Sequence, residues 1–279
     1  MNHKSKSVKF CITGLLRMWE KSYGRLRSNH ISIICQDSAF EKNKEALEQA
    51  DLILGVDFTK SNEETGQVSF KGKSLHLIRE GIPNPYQQAM TVLGEVFPFW
   101  DTNKPISCYG FGEATTLGGV LSFRSPCNGI ADALAQYKEM VPNLYLAGPK
   151  SFAPVINMAI STVKKNQGKH YVLLIISNGP YWIPLVHRNK DTECGQLSCQ
   201  EQETIEAIEL ARKFSLSIIL IGVGDKSKDM SRFFEDHLSA EALEIFQVVN
   251  HTEIMAQNLP KSEKEMDFSL AIMKKLRCV

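Results

Sequence analysis

Asp57-Phe58-Thr59-Lys60-Ser61 sets a carboxylate and two hydroxyls at alternate positions of one short segment. Three hard oxygens in that spacing suit a hard divalent cation such as Mg²⁺, with water or a partner's carboxylate completing the shell. The same residues also suit a turn whose hydroxyls cap their own backbone, and the spacing alone leaves both readings open. Gly222-Val223-Gly224-Asp225-Lys226-Ser227 has the residue types of a phosphate loop but lacks the Gly-x-x-x-x-Gly-Lys-Ser spacing, so it reads as a strand-end turn. Gly110-Phe111-Gly112 reads the same way. His170 and His187 bracket an apolar run and the loop after it. No Ser or Cys has the setting of an activated nucleophile, so no catalytic residue is assigned and both histidines read as surface or loop residues. Cys194 and Cys199 lack the further ligand pair that a structural zinc requires and read as loop thiols.

What such a segment can do depends on what holds it. Immediately before it stands Leu52-Ile53-Leu54-Gly55-Val56, a short and continuous apolar run. Tyr171-Val172-Leu173-Leu174-Ile175-Ile176 and Ser217-Ile218-Ile219-Leu220-Ile221 are of the same kind, with Ile106-Ser107-Cys108-Tyr109 and Phe246-Gln247-Val248-Val249 as weaker examples. Runs of this sort predict strands covered on both faces. Helices are predicted between them. One runs from Asn84-Pro85 to Val96-Phe97 with proline in its first turn, one over about 128–140, and one from Phe152 to about Lys165. Another opens at the capping box Ser198-x-x-Glu201, and 253–276 is helical. Strands alternating with helices indicate an α/β fold with a doubly wound, mostly parallel sheet. Such sheets bind beyond the carboxyl ends of their strands, where Asp57 lies.

Composition narrows the class. Of 279 residues, 43% are hydrophobic and 23% charged, which are ordinary globular values. Lys+Arg 32 against Asp+Glu 31 leaves a net charge of +1, so nucleic-acid binding by bulk charge is not expected. No apolar run approaches the roughly 20 residues of a transmembrane helix. The 7 cysteines contain no Cys-x-x-Cys pair, which points to an intracellular protein, cytoplasmic with nuclear or peripheral-membrane location also open. Residues 1–48 read as a basic, partly disordered extension: Lys4, Lys6, Lys9, Arg17, Lys21, Arg25 and Arg27 face Glu20 alone within the first thirty. A solvated tail is the favoured reading of it. Contact with acidic lipid, an organelle address and a nuclear signal are the alternatives. Residues 49–260 form one domain and 261–279 a helical tail.

Several blocks, in order along about residues 50–260, resemble the copine domain, a von Willebrand factor A-like module. They are Gly55-Val56-Asp57-Phe58-Thr59-Lys60-Ser61-Asn62, Asn84-Pro85-Tyr86-Gln87-Gln88-Ala89, Tyr109-Gly110-Phe111-Gly112, Tyr145-Leu146-Ala147-Gly148-Pro149 with Phe152-Ala153-Pro154, and Ile221-Gly222-Val223-Gly224-Asp225. Ser69-Phe70-x-Gly72-Lys73-Ser74-Leu75-His76, Tyr137-Lys138-Glu139 and Asn250-x-Thr252-Glu253-Ile254-Met255-Ala256 are most similar to the plant copine-domain RING ubiquitin ligases. Only His251 and Cys278 among zinc-ligating Cys and His residues follow residue 250, so a RING is not expected in this chain.

The resemblance implies a six-stranded sheet, helices on both its faces, and a metal-ion-dependent adhesion site above it. In the family that site takes Asp, Ser or Thr, and Ser from a first loop, Thr from a second and Asp from a third. Carried over, the first loop supplies Asp57, Thr59 and Ser61; the second-loop position is Lys150 and the third-loop position Asn178. A lysine ammonium about 4 Å from a divalent ion costs roughly 8 kcal/mol at an effective dielectric near 20. No cofactor is therefore expected beyond weak Mg²⁺ or Mn²⁺ binding. Lys150 either pairs with Asp57 in the cation's place or turns out to solvent. The implied function is a non-catalytic protein-interaction module linked to ubiquitination pathways that meets its partner at the strand-end loops, with Lys150 receiving an acidic side chain. The alternative is a fragment or isoform of a RING-type ubiquitin ligase.

Overall fold

A computed structural model of the chain describes residues 48–97, 105–124, 126–166, 168–179, 197–225 and 230–275. Residues 1–47 of the basic extension, His187, Cys194 and Lys226-Ser227 lie outside the described residues.

The sheet is built on β1 (Asp51–Asp57), β2 (Pro105–Phe111), β3 (Val120–Ser122), β4 (Cys127–Asn128), β5 (Tyr171–Ser177), β6 (Leu216–Gly222) and β7 (Phe246–Asn250). Its main path runs β3-β2-β1-β5-β6-β7, and the two-residue β4 pairs with β2 off that path. β1, β2, β5, β6 and β7 are mutually parallel, while β3 and β4 run antiparallel to β2. The doubly wound, mostly parallel α/β sheet expected from the alternation is thus present. β1 sits at its centre, with Val56 paired to Gly110 on one side and to Ile176 on the other.

Alternation of side chains explains why the central strands are apolar throughout. Leu52, Leu54 and Val56 enter one core with Val172, Leu174 and Ile176. Ile53, Leu173, Ile175, Ile218 and Leu220 enter the other. A strand covered on both faces has no polar side to show. The first core is closed by α1 (Pro85–Val96) and α2 (Gly129–Met140), and the second by α3 (Ala153–Lys165) and α4 (Cys199–Ala211).

Local signals set the helix starts. Asn84 caps α1 with a reciprocal box: Gln87 N donates to Asn84 Oδ1 at 2.9 Å and Asn84 N to Gln87 Oε1 at 2.8 Å. Ser198 and Glu201 do the same for α4. Such a cap is worth about 1 kcal/mol. Two short helices that the sequence reading did not anticipate, α5 (Met230–His237) and α6 (Ala240–Ile245), add Met230, Phe233, Phe234, Ala242 and Ile245 to the second core. The chain then passes through α7 (His251–Ala256) to α8 (Lys261–Lys275). α8 buries Phe268, Ile272 and Met273 in the first core, so this closing helix packs with the body of the domain.

Candidate functional site

β1 ends at Asp57, and the chain turns through Phe58 and Thr59 into one 3-10 turn, Lys60–Glu63. Backbone bonds stitch this first loop to its neighbours. Phe58 N donates to Phe111 O at 2.7 Å, Lys60 N to Ala147 O at 3.2 Å, and Ala147 N to Gly112 O at 2.9 Å. The loop after β2 and the segment before α3 therefore hold the first loop from one side. On the other side stands β5, whose last residue is Ser177 and which leads into Asn178 and Gly179.

These elements bring all five expected site residues, Asp57, Thr59, Ser61, Lys150 and Asn178, into one buried cluster. Asp57 is 0% exposed and Lys150 is 7% exposed. Lys150 Nζ stands 2.6 Å from Asp57 Oδ2. It also donates to Ser177 Oγ at 3.2 Å, to Gly179 O at 2.7 Å, and to Asn178 Oδ1. Three ammonium protons thus face four acceptors. Of the two orientations open to Lys150, the inward one is adopted. Ser177 Oγ donates to the same Asp57 oxygen at 2.6 Å, while Oδ1 accepts from Thr59 N at 2.9 Å and Thr59 Oγ1 at 2.6 Å. Ser61 Oγ lies 3.0 Å from Thr59 Oγ1, and Asn178 Nδ2 reaches Ser61 Oγ at 3.2 Å and Thr65 Oγ1 at 2.6 Å.

Burial pushes the Asp57 carboxyl up, but the Lys150 ammonium and the hydrogen bonds from Ser177 and Thr59 outweigh it and hold the group below its ordinary value. The pair is ionised and fully engaged. A divalent ion bound to Asp57 Oδ2 would sit little more than 2 Å from it, in the space that Nζ fills. The oxygen set as folded does not fit a divalent cation unless Lys150 leaves.

A second layer beneath the pair has no spacing that would reveal it in the sequence. His76 places Nε2 2.8 Å from Asp57 O and Nδ1 2.8 Å from Tyr137 Oη. The carbonyl can only accept, so Nε2 carries the proton and Nδ1 accepts from tyrosine. Asn84 Nδ2 in turn donates to Tyr137 Oη at 3.1 Å. Burial lowers the His76 pKa to about 4, so the ring is neutral. Asn62 donates to Asp57 O at 3.0 Å and Thr59 O at 2.9 Å, and Tyr86 Oη donates to Asn62 Oδ1 at 2.7 Å. The only hint in the sequence was that His76, Asn84, Tyr86 and Tyr137 fall within the blocks that carry the resemblance.

The remaining motifs lie elsewhere. His170 precedes β5 and contacts Ser215 Oγ and Ser217 Oγ, each at 3.1 Å. It is therefore at the amino end of the strand, opposite the loop it seemed to flank. Gly222–Asp225 is a strand-end turn: Asp225 accepts from Val68 N and Ser69 N, both at 2.8 Å, and so fixes the loop that follows the first 3-10 turn. Cys199 opens α4 and is exposed. Among the described residues no group of three or more His, Cys, Asp or Glu could hold a metal ion. No helix among them is long and apolar enough to cross a membrane.

Comparison with known proteins agrees with the sequence blocks. The Copine family model matches residues 74–277. E3 ubiquitin-protein ligase RGLG2 of Arabidopsis thaliana is 48% identical over 267 residues, covering 91% of this chain and 56% of that protein. RGLG1, from the same plant and of the same description, is 44% identical over 261 residues, covering 92% and 52%. Copine family protein 1 of Caenorhabditis elegans is 31% identical over 258 residues, covering 89% of this chain and 22% of its own length. The chain spans about half the length of the plant relatives it matches.

Proposed function

This chain belongs to the copine family, and from that premise we propose that it is a protein-interaction module whose adhesion site works without a divalent cation. The observation that carries the proposal is Lys150 Nζ lying 2.6 Å from Asp57 Oδ2. The ammonium supplies the positive charge that a metal would bring, and Asn178 stands where the family has a further carboxylate. Both changes lower the demand for a cation.

The partner docks at the strand-end loops. An acidic side chain is not received by Lys150 directly, because the protons of its ammonium already face acceptors inside the site. Recognition falls instead to the loops around it. Leu117, 95% exposed, stands on the loop after β2, and Tyr145, 75% exposed, on the segment bonded to that loop through Ala114 N and Tyr145 O at 3.0 Å. Of the two, the tyrosine is of the type that most often anchors protein interfaces.

Titration calorimetry with Mg²⁺ and Mn²⁺ tests this. The parent chain is expected to give no binding heat, and the Lys150→Thr, Asn178→Asp double variant to bind. Equal binding by both would overturn the reading.

The identity to the two plant ligases favours a place in ubiquitination, as the partner-binding module of a RING-type ligase or as a competitor for its partners. Added in excess to RGLG2 acting on a protein substrate, the chain is expected to lower conjugation. It is expected to conjugate nothing itself in a reaction with ubiquitin-activating and ubiquitin-conjugating enzymes alone. Undiminished conjugation in the first reaction, or ligase activity in the second, would count against this placement.

A further inference from the structure

On the face of the sheet opposite α1 and α2, a groove of about 680 Å³ runs between α3, α4 and residues 118–120 at the start of β3. Pro154 and Met158 of α3 and Leu210 of α4, 38% exposed, give it apolar surface. Glu203 and Glu206 line it too, one turn apart on the α4 stripe that carries Leu210. Both carboxylates are exposed, and their partners are neutral: Ser151 Oγ at 3.5 Å and Cys199 Sγ at 3.6 Å for Glu203, Gln202 Nε2 at 2.8 Å for Glu206. No Lys or Arg among the described residues pairs with either. The other two carboxylates of α4 are occupied. Glu201 caps Ser198 N at 2.7 Å, and Glu209 holds Ser239 N at 2.9 Å and pairs with Arg212 at 3.4 Å. Apolar surface beside two carboxylates that lack a cation calls for a segment both basic and apolar.

The same chain carries such a segment. Seven Lys and Arg stand against Glu20 alone in its first thirty residues, and Arg17 and Lys21 are interspersed with Leu15, Leu16, Met18 and Trp19. The point of attachment fits as well. The chain enters the sheet at β1, where Asp51 N donates to His170 O at 3.0 Å and Lys169 Nζ meets Asp51 Oδ2 at 2.9 Å. His170 follows closely on α3, so this entry lies by the foot of the helix that floors the groove. α3 has 13 residues, a length of about 20 Å, and residues 28–50 reach well beyond that when extended. Covalent attachment raises the effective concentration of the segment, so contacts too weak for a free peptide suffice.

We infer that this groove is the docking surface of the chain's own basic segment, centred on residues 15–21. Leu15, Leu16 and Trp19 supply the apolar contact with Met158 and Leu210, and Arg17 and Lys21 answer Glu203 and Glu206. While docked, the segment closes the groove to cationic segments of other proteins.

The test couples the full chain with a water-soluble carbodiimide, which joins a lysine amine to a carboxylate without a spacer, and maps the products by mass spectrometry. Unlabelled and ¹⁵N-labelled chains are mixed beforehand. Lys21 is expected to join Glu203 or Glu206 in peptide pairs that are wholly light or wholly heavy. Asn157→Lys puts a cation at an exposed position of the groove while leaving both carboxylates in place, and should lower that yield about threefold or more. Thermal melts report folding, and Ser161→Lys, also exposed and in the groove, serves if the first variant does not fold. Four results would overturn the inference: no coupling to Glu203 or Glu206, equal coupling to Glu95 and Glu139 on the opposite face, pairs of mixed isotope, or a yield unmoved in a folded variant. Mixed pairs would assign the groove to the segment of a second copy, and the other three would leave the segment a solvated tail.

Discussion

The Asp57–Lys150 pair is fully withdrawn from water, so its energetics are those of a buried ion pair. Desolvation of the two charges offsets much of their attraction, and removing one partner strands the other. Lys150→Met is therefore expected to destabilise the fold by roughly 3–5 kcal/mol, and Asp57→Leu by a similar amount. The double variant should recover only part of that loss, because it leaves no buried charge but takes the partners of Gly179 O and Thr59 N. Urea denaturation of the four proteins gives the coupling directly. Additive losses would mean that each residue is held by its other hydrogen bonds and that the pair as such matters little.

Among the elements, the close approach of the β2 loop to the first loop decides where Thr59 sits. A Cβ on Gly112 would lie 2.2 Å from Thr59 Cγ2 and 2.9 Å from Thr59 N, and the residue has φ +80°. Gly118 has a similar φ of +87° with nothing within 4 Å. The two positions separate strain from collision. Gly118→Ala is expected to cost about 1–2 kcal/mol from backbone conformation alone, and Gly112→Ala about 1–3 kcal/mol more from the clash. The Thr59 amide signal should shift only in the second. Equal stability losses and an unmoved Thr59 would show that the loop yields freely. The same elements show what a sequence can disclose. β1, β5 and β6 were legible because both faces are covered, which makes them unbroken apolar runs. Asn84-Pro85 and Ser198-x-x-Glu201 were legible because capping is chemistry within four residues. β3, β4 and α6 are too short to show a period. Asp57, Thr59 and Ser61 could be read from alternation within one strand end, and Lys150 and Asn178 from the resemblance. Ser177 and His76 meet Asp57, and Tyr137 meets His76, only through the order of strands and the packing of α2. No spacing in the chain encodes that meeting.

At the scale of the whole molecule, two buried histidines couple stability to pH from different places. His76 lies under the site and His251 beneath α8, and burial lowers each to a pKa of about 4 from the ordinary 6.5. The unfolded chain therefore binds more protons than the folded one between about pH 6.5 and 4, and stability falls as pH falls through that window. At 1.36 kcal/mol per unit, each ring accounts for about 2 kcal/mol between neutrality and pH 5. Asp57 acts in a separate window. Its folded value is depressed, so its contribution is complete above the ordinary carboxylate range and is lost only as pH drops below it. Urea unfolding at pH 7 and pH 5 should thus show a loss of about 4 kcal/mol, carried by the histidines and not by the ion pair. His251→Phe should remove about half of that dependence while leaving the acid limb below pH 4 in place. Stability that does not change between pH 7 and 5 would mean that one or both rings reach water in the folded state.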